Sequence, residues 1–306
     1  MFLVRFWGVR GSMPSPGVDT NIFGGNTACI EIRAGKKLII VDCGTGMKET
    51  GKYLMENDIK NGPLDIDIFL SHTHWDHILG FPLFVPIFVP NAKIHMRGPY
   101  FSDGESLKSV FTQLMSHNHW PIRLNELPSS VTFEQIREGT IDIGGGVRLT
   151  AKYTNHPVIC MGYRFEYEGK SIVTAFDTEP FCNQFARNPS ETNLICDETA
   201  IENGERAAEI ENKKMLDFVR DADVLIYDSS YTEEEYAKDK LNWGHTSYET
   251  AITTAVKAKA KKLVMFHHEP SRTDKVLQEM EDKYRALQTN NDIDITLARE
   301  GQKIEI

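Results

Sequence analysis

Between Ser71 and His77 the chain reads S-H-T-H-W-D-H, three histidines and one aspartate in seven residues, directly after the apolar run from Ile66 to Leu70. Imidazole nitrogens and carboxylate oxygens are good ligands for zinc, manganese and iron. A tight loop at the end of a buried strand presents them without a large ordering cost. If the loop begins extended, His72 and His74 point to the same side, and Asp76 and His77 face a second ion after the chain turns. Four ligands from one loop imply two metals. One loop cannot complete two coordination spheres, so other strands must contribute. His156 follows Leu149 to Tyr153 in Y-T-N-H-P, and Asp177 follows Ile172 to Thr174 in A-F-D-T-E-P. His267 and His268 follow Leu263 to Phe266 in V-M-F-H-H-E-P. All of them stand at strand C-termini, so the fold must bring strand ends from both halves of the chain to one place.

The rest of the pattern agrees. Strand-like runs occur at Phe2 to Trp7, Thr27 to Arg33, Lys37 to Asp42, Ile66 to Leu70 and Lys93 to Arg97, with a helical pattern near Met47 to Asn57. The second half repeats the habit. Strands are predicted at Val147 to Thr154, Gly162 to Tyr167, Ser171 to Thr174, Val224 to Tyr227 and Leu263 to Phe266. Helices are predicted near Glu205 to Arg220, Ser247 to Ala258 and Asp274 to Leu287. Strands in both halves with helices between them imply a mixed α/β fold of two sheets packed face to face and covered outside by helices. No linker, repeat or low-complexity tract breaks residues 1–306, so one domain is expected. The least regular stretch, about 97–127, holds His117 and His119 and reads as an insertion or a lid.

Composition narrows the function. A net charge of −10 and a pI near 5.5 oppose phosphate backbones and weigh against long nucleic acid as a partner. The densest cationic run, from Lys257 to Lys262, reads as a solvated helix end. Five cysteines, Cys29, Cys43, Cys160, Cys182 and Cys196, are scattered with no C-x-x-C pair, which argues against a disulfide framework or a zinc finger. The N-terminus lacks a secretory pattern and no stretch has the length to cross a bilayer, so a cytoplasmic location is expected. Neither a G-x-S-x-G elbow, a Walker loop nor a G-x-G-x-x-G fingerprint occurs. Serine hydrolases, nucleoside triphosphatases and dehydrogenases therefore lack support.

The order D-x-G-T-G at Asp42 to Gly46, then H-x-H-x-D-H, then a separate His, Asp and His resembles the metallo-β-lactamase superfamily. That resemblance implies an αβ/βα sandwich with a dinuclear metal site at one edge of the two sheets. It assigns His72, His74 and His156 to the first ion and Asp76, His77 and a late histidine to the second, with Asp177 bridging. For the late ligand it favours His267 over His268, as the first residue after the apolar run. Asp42 would brace the ligand loop. The ions would be two divalent cations, zinc first, with manganese or iron as alternatives.

Within the superfamily, N-W-G-H-T-S with His245 and I-Y-D-S-S with Asp228 resemble a pair found in ribonuclease Z and its phosphodiesterase relatives. There a histidine backed by an acidic residue sits beside the metals, and the acidic residue is commonly Glu rather than Asp. His245 would donate a proton to the departing alkoxide or hold the phosphate, with Asp228 fixing its tautomer. Asp76, His245 and Asp228 are thus the candidate catalytic groups. S-I-V-T-A-F-D-T-E-P is also similar to the Y-S-G-D-T segment of that branch. The opening, from Phe6 to Ile32, resembles bacterial hydrolases related to ribonuclease Z, with the loop from Gly8 to Gly25 bordering the site. The basic, glycine-rich arm of transfer-RNA-processing members is missing. The expectation is therefore a metal-dependent phosphodiesterase that cleaves a small or cyclic nucleotide with ionised water. Alternatives are a tRNA 3'-processing endonuclease, a thioester or lactone hydrolase, and a non-catalytic metal-binding sensor. Arg10, Arg164 and Arg272 are candidates to steer an anion, and a homodimer stays open.

Overall fold

A computed structural model describes residues 1–101, 104–183, 198–286 and 293–306. Cys196, and the end at Leu287 predicted for the last helix, lie outside them. The first half runs β1 (Phe2–Gly8), β2 (Cys29–Ala34), β3 (Lys37–Val41), α1 (Met47–Asn57), β4 (Asp65–Phe69), α2 (Trp75–Ile78), β5 (Lys93–Pro99), α3 (Leu107–Leu114) and β6 (Ser130–Ile136). The second half runs β7 (Gly139–Asp142), β8 (Arg148–Tyr153), β9 (Met161–Tyr167), β10 (Lys170–Ala175), α4 (Glu198–Val219), β11 (Val224–Asp228), α5 (Tyr248–Lys257), β12 (Lys262–Phe266), α6 (Asp274–Arg285), β13 (Asp294–Leu297) and β14 (Lys303–Glu305).

Among the described residues the strands form two sheets of seven, ordered β14-β1-β2-β3-β4-β5-β6 and β13-β12-β11-β10-β9-β8-β7. In the first sheet β3 to β6 are parallel, and in the second β10 to β13 are parallel. Strands in the middle of such sheets bury both faces, so their sequences are apolar runs rather than alternations. The two faces nevertheless go to different places. Ile39 and Val41 of β3 meet Val224 and Ile226 of β11 and Val264 and Phe266 of β12 in a core between the sheets. Leu38 and Ile40 turn outward into a second cluster that includes Met47 and Leu54 of α1. On the other side Leu225, Tyr227, Leu263 and Met265 face Ala251 and Ile252 of α5 and Leu277 and Tyr284 of α6. The layers are helix, sheet, sheet, helix, as the two-sheet expectation required.

The helices have local reasons to form. Tyr248, Ala251, Ile252 and Ala255 put one buried stripe on α5 at helical spacing, and the Ser247 hydroxyl caps it by accepting from Thr250 N at 3.1 Å. The stretch 97–127 is less irregular than its composition implies. It contains α3, whose Ser106 hydroxyl accepts from Ser109 N at 3.1 Å and whose Leu107 and Phe111 are buried against the outer face of the first sheet. β6, β7, β13 and β14 are not predicted from the sequence. β6 and β14 sit at sheet edges with partly exposed residues, and β7 is exposed throughout, so each lacks the apolar run that marks an interior strand.

Parallel strands that end side by side create a common edge of loops, and ligands in α/β sheets bind there. Asp42 follows β3, the loop from Ser71 follows β4, Asp177 follows β10, Asp228 ends β11 and His267 follows β12.

Candidate metal centre

The β4 loop begins extended and turns at His74, which stands at the N-terminus of the single-turn helix α2 with φ −61° and ψ 154°. His72 and His74 precede that turn, and Asp76 and His77 lie within it. Side chains from β8, β10 and β12 close in from the second sheet. The donor atoms of His72, His74, His156 and Asp177 lie within 4.8 Å of one another, and so do those of Asp76, His77, Asp177 and His267. Asp177 belongs to both groups. His267, not His268, joins them: its Nε2 stands 3.3 Å from Asp76 and 3.4 Å from Asp177. His268 Nε2 instead donates to Ala298 O at 2.8 Å, away from the cluster.

The His77, His156 and His267 rings are held through Nδ1, which faces away from the cluster, whereas His74 Nδ1 faces His156 Nε2 at 3.2 Å. Asp42 Oδ2 lies 2.8 Å from His77 Nδ1, while its carboxylate also accepts from Ser71 N at 2.7 Å and from the Ser71 hydroxyl at 2.8 Å. His156 Nδ1 donates to Gly244 O at 3.0 Å. The Ser230 hydroxyl stands 3.2 Å from His267 Nδ1, and Ser12 N donates to Asp76 at 2.7 Å. Such outer contacts fix ring tautomers and leave the inner nitrogen with a lone pair. Inside, His72 Nε2, His77 Nε2 and Asp177 Oδ1 are buried and make no hydrogen bond. Buried polar atoms without partners are costly, and a cation supplies what they lack. The donor set, neutral imidazoles and carboxylates, suits zinc, iron or manganese.

Backbone strain gathers at the same place. Among the described residues nine non-glycine residues have positive φ, and Ser12, Asp42, Asp177 and His267 are four of them. Each costs about 1 kcal/mol or more, which the surrounding hydrogen bonds offset. Two glycines make room for ligand rings. A Cβ on Gly11 would come within 2.2 Å of the His267 ring, and one on Gly244 within 2.2 Å of His156 Nδ1.

The electrostatics describe a cluster poised for cations. Burial, and next the charge on His77, keep His72 well below the ordinary histidine value. Burial also lowers His156 to about 4. For His77 burial is outweighed by Asp177, Asp76 and Asp42, which raise it well above that value. Burial disfavours the charged Asp177, yet His267, His77 and His72 hold it well below the carboxylate range. A cation bound there would take the place of the positive charge that these carboxylates favour on His77.

His245 stands against this cluster. Its Nδ1 donates to Asp228 Oδ2 at 2.7 Å, and its ring stacks on His267 with centroids 4.6 Å apart. Asp228 is otherwise engaged by Thr178 N, the Ser230 hydroxyl and Thr246 N, and donor atoms of Asp177, Asp228, His245 and His267, one from each, also lie within 4.8 Å of one another. Burial opposes charge on His245, but Asp228 prevails and raises the pKa to about 9. Nearby cations would push it back toward neutrality. The cleft over the cluster, about 540 Å³, is lined by His74, Asp76, His156, Asp177 and His245, with Trp75 and Trp243 on its walls.

The arginines suggested for anion steering are elsewhere. Arg10 is fully buried and donates to the carbonyls of Gly24 and Arg272 at 2.7 and 2.6 Å. Arg164 donates to Arg220 O, and Arg272 pairs with Glu235. His117 and His119 are also outside the cleft. His117 lies in a separate hollow with Lys108, Arg123, Leu127 and Phe133. Ser230 and Gly244 are not among the expected site residues, and Gly11 and Ser12 are covered only by the expectation that the loop from Gly8 to Gly25 borders the site. The G-S after Arg10, the second serine of Y-D-S-S and the glycine before His245 were visible, but nothing local ties them to rings far along the chain.

Residues 22–185, more than half of the chain, match the sequence profile of the Metallo-beta-lactamase superfamily. The chain belongs to the metallo-β-lactamase superfamily. Ribonuclease Z of Archaeoglobus fulgidus is 24% identical over 288 residues, covering 87% of this chain and 87% of that protein. Human short-form tRNase Z superposes with a TM-score of 0.62 at 20% identity, covering 99% of both chains. A diphosphatase of the PhnP family superposes with a TM-score of 0.61 at 16% identity, covering 100% of this chain and 98% of that one. At these identities the structural likeness shows the fold, and membership of the superfamily together with the ribonuclease Z relatives supports a hydrolase.

Proposed function

We propose that this protein is a dinuclear phosphodiesterase that cleaves a small or cyclic nucleotide phosphodiester. His72, His74 and His156 would hold one cation, Asp76, His77 and His267 the other, with Asp177 shared. Bound there, two divalent cations supply Lewis-acid charge for the non-bridging phosphate oxygens and lower the pKa of a water between them. The observation that carries the reading is the His245–Asp228 pair. A thioester or lactone hydrolase gains little from a proton donor of this kind, whereas a departing alkoxide needs one. Asp228 keeps the proton of His245 on Nδ1 and leaves Nε2 to hand a second proton to the leaving oxygen. Asp76, fixed by Ser12 N, orients His267 and His77 within the cluster.

A tRNA 3'-processing endonuclease is the second reading, favoured by the relatives named ribonuclease Z. Against it, no Lys or Arg is among the described residues that line the cleft, and the chain carries a net charge of −10. Polyanion binding draws on many cationic contacts. Zinc- or manganese-reconstituted protein should be assayed on bis(4-nitrophenyl) phosphate, cyclic mononucleotides, cyclic dinucleotides, a transfer-RNA precursor and an acyl thioester. Turnover of the first groups supports the proposal. Cleavage of the precursor alone, or of the thioester alone, overturns it.

A further inference from the structure

The cleft walls carry two large apolar side chains that the fold does not use. Trp75 is 72% exposed and Trp243 is 54% exposed, yet both border the same cleft as His74, Asp76 and His245. Exposed indoles at a cleft mouth present apolar, flat surface that a ligand can remove from water. Neither is placed loosely. Trp75 lies between two donor residues, His74 and Asp76, at the start of α2, so its position follows the ligand loop. Trp243 precedes Gly244, whose carbonyl holds His156, and follows Asn242, whose N–H donates to Glu179 at 3.0 Å. The ammonium of Lys240 sits 4.1 Å from the centroid of the Trp243 ring and 5.7 Å from that of Tyr231. A cation over one face steadies the indole.

We propose that Trp75 and Trp243 stack the base of a nucleotide substrate while its phosphate reaches the donor cluster. This inference rests on the phosphodiesterase reading. It also specifies that reading: recognition comes from the π-face of the base, which every base has, rather than from hydrogen bonds to its edge. Purine and pyrimidine nucleotides should therefore both bind, and a phosphate ester without a base should bind less well.

The test compares adenosine 5'-monophosphate and uridine 5'-monophosphate with ribose 5-phosphate on zinc-reconstituted protein, by calorimetry and by tryptophan emission. Both nucleotides should bind about five- to a hundredfold more tightly than ribose 5-phosphate, the range for a base stacked on an aromatic ring. They should quench emission where ribose 5-phosphate does not. In Trp75→Ala/Trp243→Ala the advantage and the quenching should vanish while ribose 5-phosphate binds as before, and Trp75→Phe/Trp243→Phe should keep most of the advantage. Equal affinity for nucleotide and ribose 5-phosphate overturns the proposal, as does an advantage that survives the alanine substitutions or a failure of all three to bind. The same preparations assayed on bis(4-nitrophenyl) phosphate separate the two levels. Turnover without any base advantage leaves the phosphodiesterase and removes the stacking. An inert phosphodiester beside a cleaved acyl thioester removes both.

Discussion

Asp42→Asn isolates how one buried carboxylate sets up the centre. The substitution changes one atom and suits the left-handed backbone at φ 63°, which asparagine tolerates as well as aspartate. What changes is polarity. The carboxylate accepts from Ser71 N on one oxygen and from His77 Nδ1 and the Ser71 hydroxyl on the other. An amide has one oxygen, so whichever way it sits its NH2 meets a donor, either Ser71 N or His77 Nδ1–H. If His77 gives way it moves its proton to Nε2, the atom that faces Asp76 and Asp177. A protonated Nε2 cannot ligate. The loss should be about ten- to a hundredfold in metal affinity, the usual cost of removing such a contact, which is ~1.4–2.7 kcal/mol. If Ser71 N is left unpaired instead, the cost falls on stability at about 1–3 kcal/mol. Zinc affinity by competition with a chromophoric chelator, alongside urea unfolding of the metal-free protein, reads both. An Asp42→Asn protein with wild-type zinc affinity and wild-type stability would refute the reasoning.

His245→Ala should keep its full zinc content but slow phosphodiester turnover by about a hundredfold or more; loss of zinc would instead make His245 a ligand. Gly11→Ala should lower zinc content and activity together, because the added methyl needs the space taken by the His267 ring; unchanged zinc content would show that the loop yields. A third change tests the fold away from the site. Asp223 accepts from Ser171 N at 2.8 Å and Lys261 at 2.7 Å, and although burial opposes its charge, these partners lower its pKa. A carboxylate depressed in the folded state contributes stability above its unfolded pKa of about 3.9 and loses it as pH falls through the lower folded value. Wild type should therefore lead Asp223→Asn in urea midpoint at pH 7 and lose that lead in the acid range below about pH 4. A lead independent of pH would contradict the assignment.

The interior strands were legible because β3, β4, β10, β11 and β12 bury both faces and so are mostly apolar, Asp67 of β4 being a buried exception paired with Lys37 and Arg97. α1 matches the predicted bounds of Met47 to Asn57 for a similar reason: Met47, Thr50, Gly51 and Leu54 share one buried face. α3 carried the same signal in Leu107, Val110, Phe111 and Leu114, but its surroundings of Ser, Asn, Gly and Pro obscured it. The donors were legible because they stand at the ends of strands that could be read. The contacts behind them were not. Ser230 reaches His267 from a different strand end, and Ser12 reaches Asp76 across 64 residues of chain. The choice between His267 and His268 turns on a φ of 66° at His267, a backbone state that alternation along β12 does not encode.

The claim beneath all of this is that two sets of donors sharing Asp177 hold two cations. A crystal grown with zinc and measured at the zinc absorption edge tests it directly. Two anomalous peaks should flank the Asp177 carboxylate, one against His72, His74 and His156 and the other against Asp76, His77 and His267. A single peak, or ions bound only outside this cluster, would contradict it.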